Sequence, residues 1–91
     1  MRLDEPAVVA ALRATPGWER AGAAIRRVYR FADFREALAF VNRVGALAET
    51  AKHHPDIDIR YNAVTLALTT HDAGGLTGKD FELARAIDGP P

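Results

Sequence analysis

The chain contains no cysteine and no serine. Without cysteine there is no disulfide, no thiol nucleophile and no thiolate metal site. Without serine a Ser-His-Asp triad is excluded outright. No apolar run approaches the ~18 residues that a membrane-spanning helix requires. The first residues also lack the charged-then-apolar pattern of a secretory signal. Net charge is missing as well, since 12 Lys plus Arg balance 12 Asp plus Glu. A protein that binds nucleic acid by neutralising phosphates carries a basic surplus, so that class is not expected. There is no internal repeat, low-complexity tract or linker. These absences lead to the expectation of a soluble, cytoplasmic protein that engages neither membrane nor nucleic acid.

What is present suffices for a single domain over residues 1–91, with a hydrophobic fraction of 48% that argues against disorder. A domain of this size buries a modest share of its surface and often gains stability by oligomerising. Asp4 can cap a short first helix, with Pro6 tolerated in its first turn and Val8, Val9 and Leu12 as its apolar stripe. Pro16-Gly17 ends it. Residues 18–21 and 25–31 read as a hairpin around Gly22. Ile25, Tyr29 and Phe31 share one face at period two, and Arg26 and Arg30 share the other, most simply a solvated face.

The central helix is the clearest element. Asp33-Phe34-Arg35-Glu36 is a capping-box-like start. Phe34, Ala37, Leu38, Val41, Val44, Leu47, Ala48 and Ala51 recur at helical spacing, which predicts a helix over about residues 34–52, about 28 Å long. Pro55 forbids continuation and biases His54 away from helical backbone. His53 and His54 should therefore point in different directions. Beyond Pro55, Ile57, Ile59 and Tyr61 alternate with polar residues as a half-buried strand. Asn62 suits a left-handed turn, and Val64, Leu66, Leu68 and Thr70 continue the alternation. Gly74-Gly75 breaks it. Thr77, with Asp80 three residues on, starts a last helix whose inner face is Phe81, Ala84 and Ile87. The order helix-strand-strand-helix-strand-strand-helix predicts an α+β fold, a four-stranded antiparallel sheet with three helices on one face.

The three histidines, His53, His54 and His71, all fall within residues 53–71. Histidine is the natural carrier of protons near neutral pH. His71 lies where the second hairpin can bring it back beside His53 and His54. Glu49 precedes His53 by four residues, so on a helix they share a face, and the carboxylate is expected to orient that imidazole. Three histidines can hold a catalytic zinc, but adjacent ones rarely reach one ion, and no His-x-x-x-His pair exists. The expectation is no metal and no cofactor. Gly78-Lys79 superficially suggests a phosphate loop, yet Ala73 and Asp80 stand where that motif needs glycine and Ser or Thr. Asp80 is most simply a helix-start residue.

The joint pattern Glu49-x3-His53-His54-Pro55-x5-Tyr61-x9-His71-x8-Asp80 resembles the signature of the pterin-4a-carbinolamine dehydratases. Gly17-Trp18, Phe31-x-Asp33-Phe34, Thr69-Thr70-His71 and Gly75-Leu76 extend the resemblance over about residues 8–88. Two departures stand beside it: animal members have an aromatic residue at the position of Ile57 and a cysteine at that of Ala73, which bears on how the pocket wall packs. The resemblance implies dehydration of a 4a-hydroxytetrahydropterin, released by an aromatic amino-acid hydroxylase, to the quinonoid dihydropterin. It implies catalysis by His53 and His71, with His54 mainly holding the pterin. Further contacts to substrate would come from Lys52, Thr69, Thr70 and Asp72, and Glu49 and Asp80 would orient rings from behind. It also implies a homodimer or homotetramer. Animal members double as dimerisation partners of a transcription factor, and some relatives lack the histidines. A non-catalytic interaction module is therefore the alternative, and retention of all three histidines favours the enzyme.

Overall fold

Residues 1–90 are described by a computed structural model. Helix α1 (Glu5–Arg13) is followed by strands β1 (Glu19–Ala21) and β2 (Ala24–Arg30), then helix α2 (Phe34–Ala51). Strands β3 (Asp56–Arg60) and β4 (Ala63–Leu68), a 3-10 turn (His71–Ala73) and helix α3 (Gly78–Asp88) complete the chain. The strands form one antiparallel sheet in the order β1-β2-β4-β3. The second hairpin thus docks its later strand against the first hairpin and leaves β3 at the edge.

Period-two patterning decides which face the helices cover. In register, Ile25 sits opposite Leu68, and Leu66 opposite Ile57. Ile25, Val64, Leu66 and Leu68 are fully buried, whereas their neighbours Arg26, Thr65 and Ala67 are only half-buried. Against the buried face pack Ala37, Val44 and Ala48 of α2 and Phe81, Ala84 and Ile87 of α3. Small residues on α2 let it approach β4 closely. Phe40, outside the expected stripe, joins the core edge by packing on Tyr29 and Phe31 at ring separations of 4.6 and 5.0 Å. Phe34 and Leu38, inside that stripe, are exposed, as is Ile57 on the edge strand. None of the described helices is long and apolar enough to cross a membrane.

Helix α3 is gripped at its C-terminal end. The Arg43 guanidinium donates to the carbonyls of Ile87 (2.7 Å) and Gly89 (2.9 Å), which the helix leaves without internal partners. Asp88 accepts from the Trp18 indole N–H at 2.7 Å, the Tyr29 hydroxyl at 2.5 Å and the Arg27 guanidinium at 3.1 Å. Arg27 shares the inner sheet face with Tyr29, and this ion pair is how a cation is accommodated there. Burial first, then the Asp88 carboxylate, pushes the Tyr29 phenol well above its ordinary range.

Three local expectations are corrected. The left-handed residue of the second hairpin is Tyr61 (φ 52), not Asn62. Asn62 instead donates its amide to the Phe31 carbonyl at 2.9 Å, and its own carbonyl accepts from the Phe31 N–H. That double tie fixes Asn62 in a cross-strand role and passes the turn to its exposed neighbour. Strand β4 ends at Leu68 rather than Thr70, because the backbone of Thr70 turns to bond Gly75 in both directions. Val9 of the first helix stripe faces solvent.

Candidate active site

The site forms where α2 ends, β4 ends and α3 begins. Helix α2 stops because Lys52 adopts the left-handed conformation (φ 53, ψ 41). That conformation costs a non-glycine residue about 1–2 kcal/mol. It lets the N–H groups of Lys52 and His53 return to the carbonyls of Glu49 and Ala48. Pro55 then keeps the chain extended. His53 and His54 leave this corner in opposite senses. The His53 ring turns inward, its side chain only 11% exposed, and its Nε2 meets Asp80 Oδ1 at 2.5 Å. The His54 ring turns outward, 63% exposed, and its Nε2 meets Glu49 Oε2 at 2.5 Å.

The second contact overturns the expected Glu49–His53 pair. Helical i,i+4 geometry holds only while the helix continues. With α2 ending at Ala51 and Lys52 left-handed, position 53 swings beneath the start of α3 and position 54 takes its place beside Glu49. His53 gains a partner 27 residues away instead.

Asp80 is fully buried and both of its oxygens are hydrogen-bonded. Oδ1 faces His53. Oδ2 accepts from the Thr70 hydroxyl at 2.9 Å and from the Thr77 N–H at 2.9 Å. The last of these is half of a capping box that starts α3, the other half being the Thr77 side chain accepting from the Asp80 N–H; the Thr77 hydroxyl also accepts from the Lys79 N–H at 3.3 Å. A carboxylate only accepts, so His53 Nε2 carries a proton in either charge state of the ring. Nδ1 is therefore the nitrogen left to gain and lose a proton.

His71 opens the 3-10 turn after β4 and is exposed. The turn is pinned by Thr70, whose carbonyl accepts from Ala73 N–H (3.1 Å) and Gly75 N–H (3.3 Å). A Cβ at Gly75 would lie 2.7 Å from Arg2 Cδ, so a larger residue there would have to displace the exposed Arg2 side chain.

Lys52, His53, His54, Thr69, Thr70, His71 and Asp72 line one open cleft of about 280 Å³, together with Lys79. Thr69 is turned away, its hydroxyl donating to the Ala23 carbonyl at 2.6 Å. Glu49 and Asp80 stand behind the two histidine rings. Lys79 lies outside the expected set of site residues, and its signal in the sequence is its place one residue before Asp80 at the start of α3. Among the described residues no group of three or more His, Cys, Asp or Glu side chains is disposed to hold a metal ion. Chemically, the cleft offers two imidazoles whose Nε2 atoms are paired with carboxylates, a third imidazole that is exposed, and two lysine side chains.

A four-stranded antiparallel sheet carrying three helices is a small α+β fold seen in solved structures. One neighbour is a transcriptional coactivator/pterin dehydratase from Brucella melitensis, superposing with a TM-score of 0.93 at 37% identity over 97% of this chain and 96% of that one. A more distant neighbour, a pterin dehydratase-like protein identified as a RuBisCO assembly factor in the alpha-carboxysome, shares the fold with a TM-score of 0.63 at 19% identity. The family model of pterin 4 alpha carbinolamine dehydratase matches residues 1–89. Proteins provisionally named pterin-4-alpha-carbinolamine dehydratase are similar along almost their whole length. The one from Thermomicrobium roseum is 59% identical, with 94% of this chain and 92% of that protein covered. The one from Chloroflexus aurantiacus is 59% identical, with 96% and 94% covered. The chain belongs to the pterin-4a-carbinolamine dehydratase family.

Proposed function

We propose that this protein is a 4a-hydroxytetrahydrobiopterin dehydratase that works by histidine acid–base catalysis. The observation that carries the reading is one cleft holding all three histidines, with His53 tied to a buried carboxylate, in a chain of this family. The reaction asks for little else. The C4a–O bond breaks as an acid protonates the leaving hydroxyl, which departs as water. The N5 lone pair supplies the electrons for the new C4a–N5 double bond, and the N5 proton passes to a base. The products are water and quinonoid dihydropterin, with no net oxidation and no organic cofactor or metal required.

C4a is a stereocentre, so hydroxyl groups on opposite faces need acids on opposite faces. His53 and His71 fill these roles, His54 holds the pterin, and Lys52, Thr69 and Asp72 complete the wall. The substrate would come from an aromatic amino-acid hydroxylase in the cytoplasm. The working form is a homodimer or homotetramer, a reading supported by the unpaired edge of β3 and by exposed Phe34 and Leu38 on α2. Light scattering at tens of micromolar checks it, against a protomer mass of 9.9 kDa.

The test of the activity is stopped-flow dehydration of each C4a epimer. His53→Ala should slow one epimer by about 10²–10⁴-fold and the other weakly, with His71→Ala showing the reverse preference. Wild-type turnover of both epimers by both variants, with native circular dichroism, refutes the assignment. A non-catalytic module of the same fold would then be the better reading.

A further inference from the structure

We infer that Thr70 is a positioning residue that sets His53 through Asp80, rather than a group that donates its hydroxyl proton to substrate. A threonine hydroxyl has one proton to give and two lone pairs to offer. The Thr70 hydroxyl donates to Asp80 Oδ2 at 2.9 Å. It also lies 2.9 Å from the Thr77 hydroxyl. Since Thr70 has spent its proton on Asp80, Thr77 is the donor in that pair. Thr77 in turn accepts from Lys79 N–H at 3.3 Å. The donors therefore run in one direction, from Lys79 N–H through Thr77 and Thr70 to the Asp80 carboxylate. At the far side of that carboxylate, Oδ1 accepts a hydrogen bond from His53 Nε2–H.

The carboxyl torsion of an aspartate is soft and roughly two-fold. In this site two bonds on Oδ2, from Thr70 and from Thr77 N–H, hold its plane. Take away the Thr70 hydroxyl and one remains, so Oδ1 is no longer fixed opposite Nε2. The Thr77 hydroxyl simultaneously loses its acceptor inside a buried pocket. Thr70 has a second attachment. Its backbone bonds Gly75 in both directions and closes the turn that starts at His71. One residue thus ties the orientation of the His53 ring to the placement of the His71 loop. Its hydroxyl has no proton left for a ligand.

The effect on turnover rests on the proposed acid role of His53, so the deciding measurement is independent of it. Long-range ¹H–¹⁵N correlation spectra report which imidazole nitrogen is protonated in neutral His53. The unmutated protein and Thr70→Ser should show the Nε2–H form alone. Thr70→Val, close to threonine in shape but without a hydroxyl, should show a mixture of both tautomers. In the dehydration assay Thr70→Val should lose about 10–100-fold in kcat with KM within about two-fold, and Thr70→Ser should restore it. A Thr70→Val protein that keeps the pure Nε2–H signature overturns the inference, whatever its activity. If that variant fails to fold, the unmutated protein still decides. Its Thr70 hydroxyl proton should be visible in slow exchange with water, and a freely exchanging hydroxyl overturns the inference. A chain without dehydratase activity but with the tautomer shift on Thr70→Val would refute the proposed function and leave the positioning role standing.

Discussion

Replacing Asp80 by asparagine should disable His53 while leaving the fold in place. Asparagine has the same shape, with one acceptor oxygen and one NH2 donor in place of two acceptors. Two placements are available. In the first, the amide oxygen takes the position of Oδ2 and keeps the bonds from the Thr70 hydroxyl and Thr77 N–H, both 2.9 Å in the native site. The NH2 then faces His53 Nε2. Two donors cannot bond each other, so the ring must present a lone pair at Nε2 and carry its proton on Nδ1. In the second placement the NH2 faces the Thr77 N–H and leaves that buried donor orphaned, at a cost of about 1–3 kcal/mol. The first placement wins, and it inverts the His53 tautomer. Three charge-assisted bonds become neutral ones, which should destabilise the fold by about 1–3 kcal/mol. The rate effect is larger. Nδ1 is the nitrogen proposed to exchange a proton with substrate, and the inverted ring has lost its lone pair there. Turnover of the epimer served by His53 should fall by about 10²–10⁴-fold, the size of one acid–base contribution. The other epimer should change little. Stopped-flow kinetics on both epimers, ¹⁵N tautomer spectra and urea unfolding read the three quantities separately. Asp80→Ala is the contrasting control. It orphans three donors and removes half of the α3 capping box, so it should cost about 3–5 kcal/mol and confound rate with stability. Wild-type turnover of both epimers by Asp80→Asn, or a His53 that stays protonated on Nε2, refutes the reasoning.

Four further outcomes are expected. Glu49→Gln should behave as a mild form of His54→Ala, raising KM and sparing the rate of bound substrate, because Glu49 pairs with His54; behaviour like His53→Ala would restore the i,i+4 pairing. Arg43→Ala should lower stability by about 1.5–3 kcal/mol in urea unfolding through loss of charged donors to the last carbonyls of α3, and Arg43→Lys should restore only part of it. Tyr29 keeps its proton in the folded chain above the ordinary phenol range, through burial and then Asp88. Above about pH 10 the unfolded chain therefore binds fewer protons than the folded one, stability falls as pH rises, and Tyr29→Phe should lack that part of the fall; parallel stability profiles for the two proteins between pH 9 and 11.5 count against this. Exhaustive chelation should leave dehydration unchanged, and activity lost on chelation and restored by zinc would point to a catalytic zinc held by the histidines.

Much of the fold was legible because its signals are local. The stripe of Ala37, Val44 and Ala48 with Pro55 beyond it marks α2 and its end. Alternation at Val64, Leu66 and Leu68 marks the central strand. Thr77 and Asp80 mark the start of α3 by a capping box that is present. What stayed hidden depends on pairings across the chain. Periodicity says nothing about whether β3 or β4 docks on β2, and the order β1-β2-β4-β3 is a tertiary choice. Arg27 on the inner face is unreadable until Asp88 arrives from 61 residues away. The turn passed to Tyr61 because Asn62 was needed by Phe31. In the site, the composition of the cleft follows from the motif. The partner of each histidine does not, since one left-handed residue at Lys52 exchanges the positions of His53 and His54.

That exchange also separates the two proposed acids by kind. His53 is preset: its ring is largely buried, one nitrogen is bound to a carboxylate, and that carboxylate is held by two more donors. The ring of His71 is exposed and makes no hydrogen bond among the described residues, although its turn is closed by Thr70. A preorganised acid loses little freedom when substrate arrives, whereas a free ring must be ordered by the substrate itself. The two C4a faces would therefore meet unequal acids even in the unmutated protein. The pterin, once bound, would have to supply for His71 the orientation that Asp80 already supplies for His53.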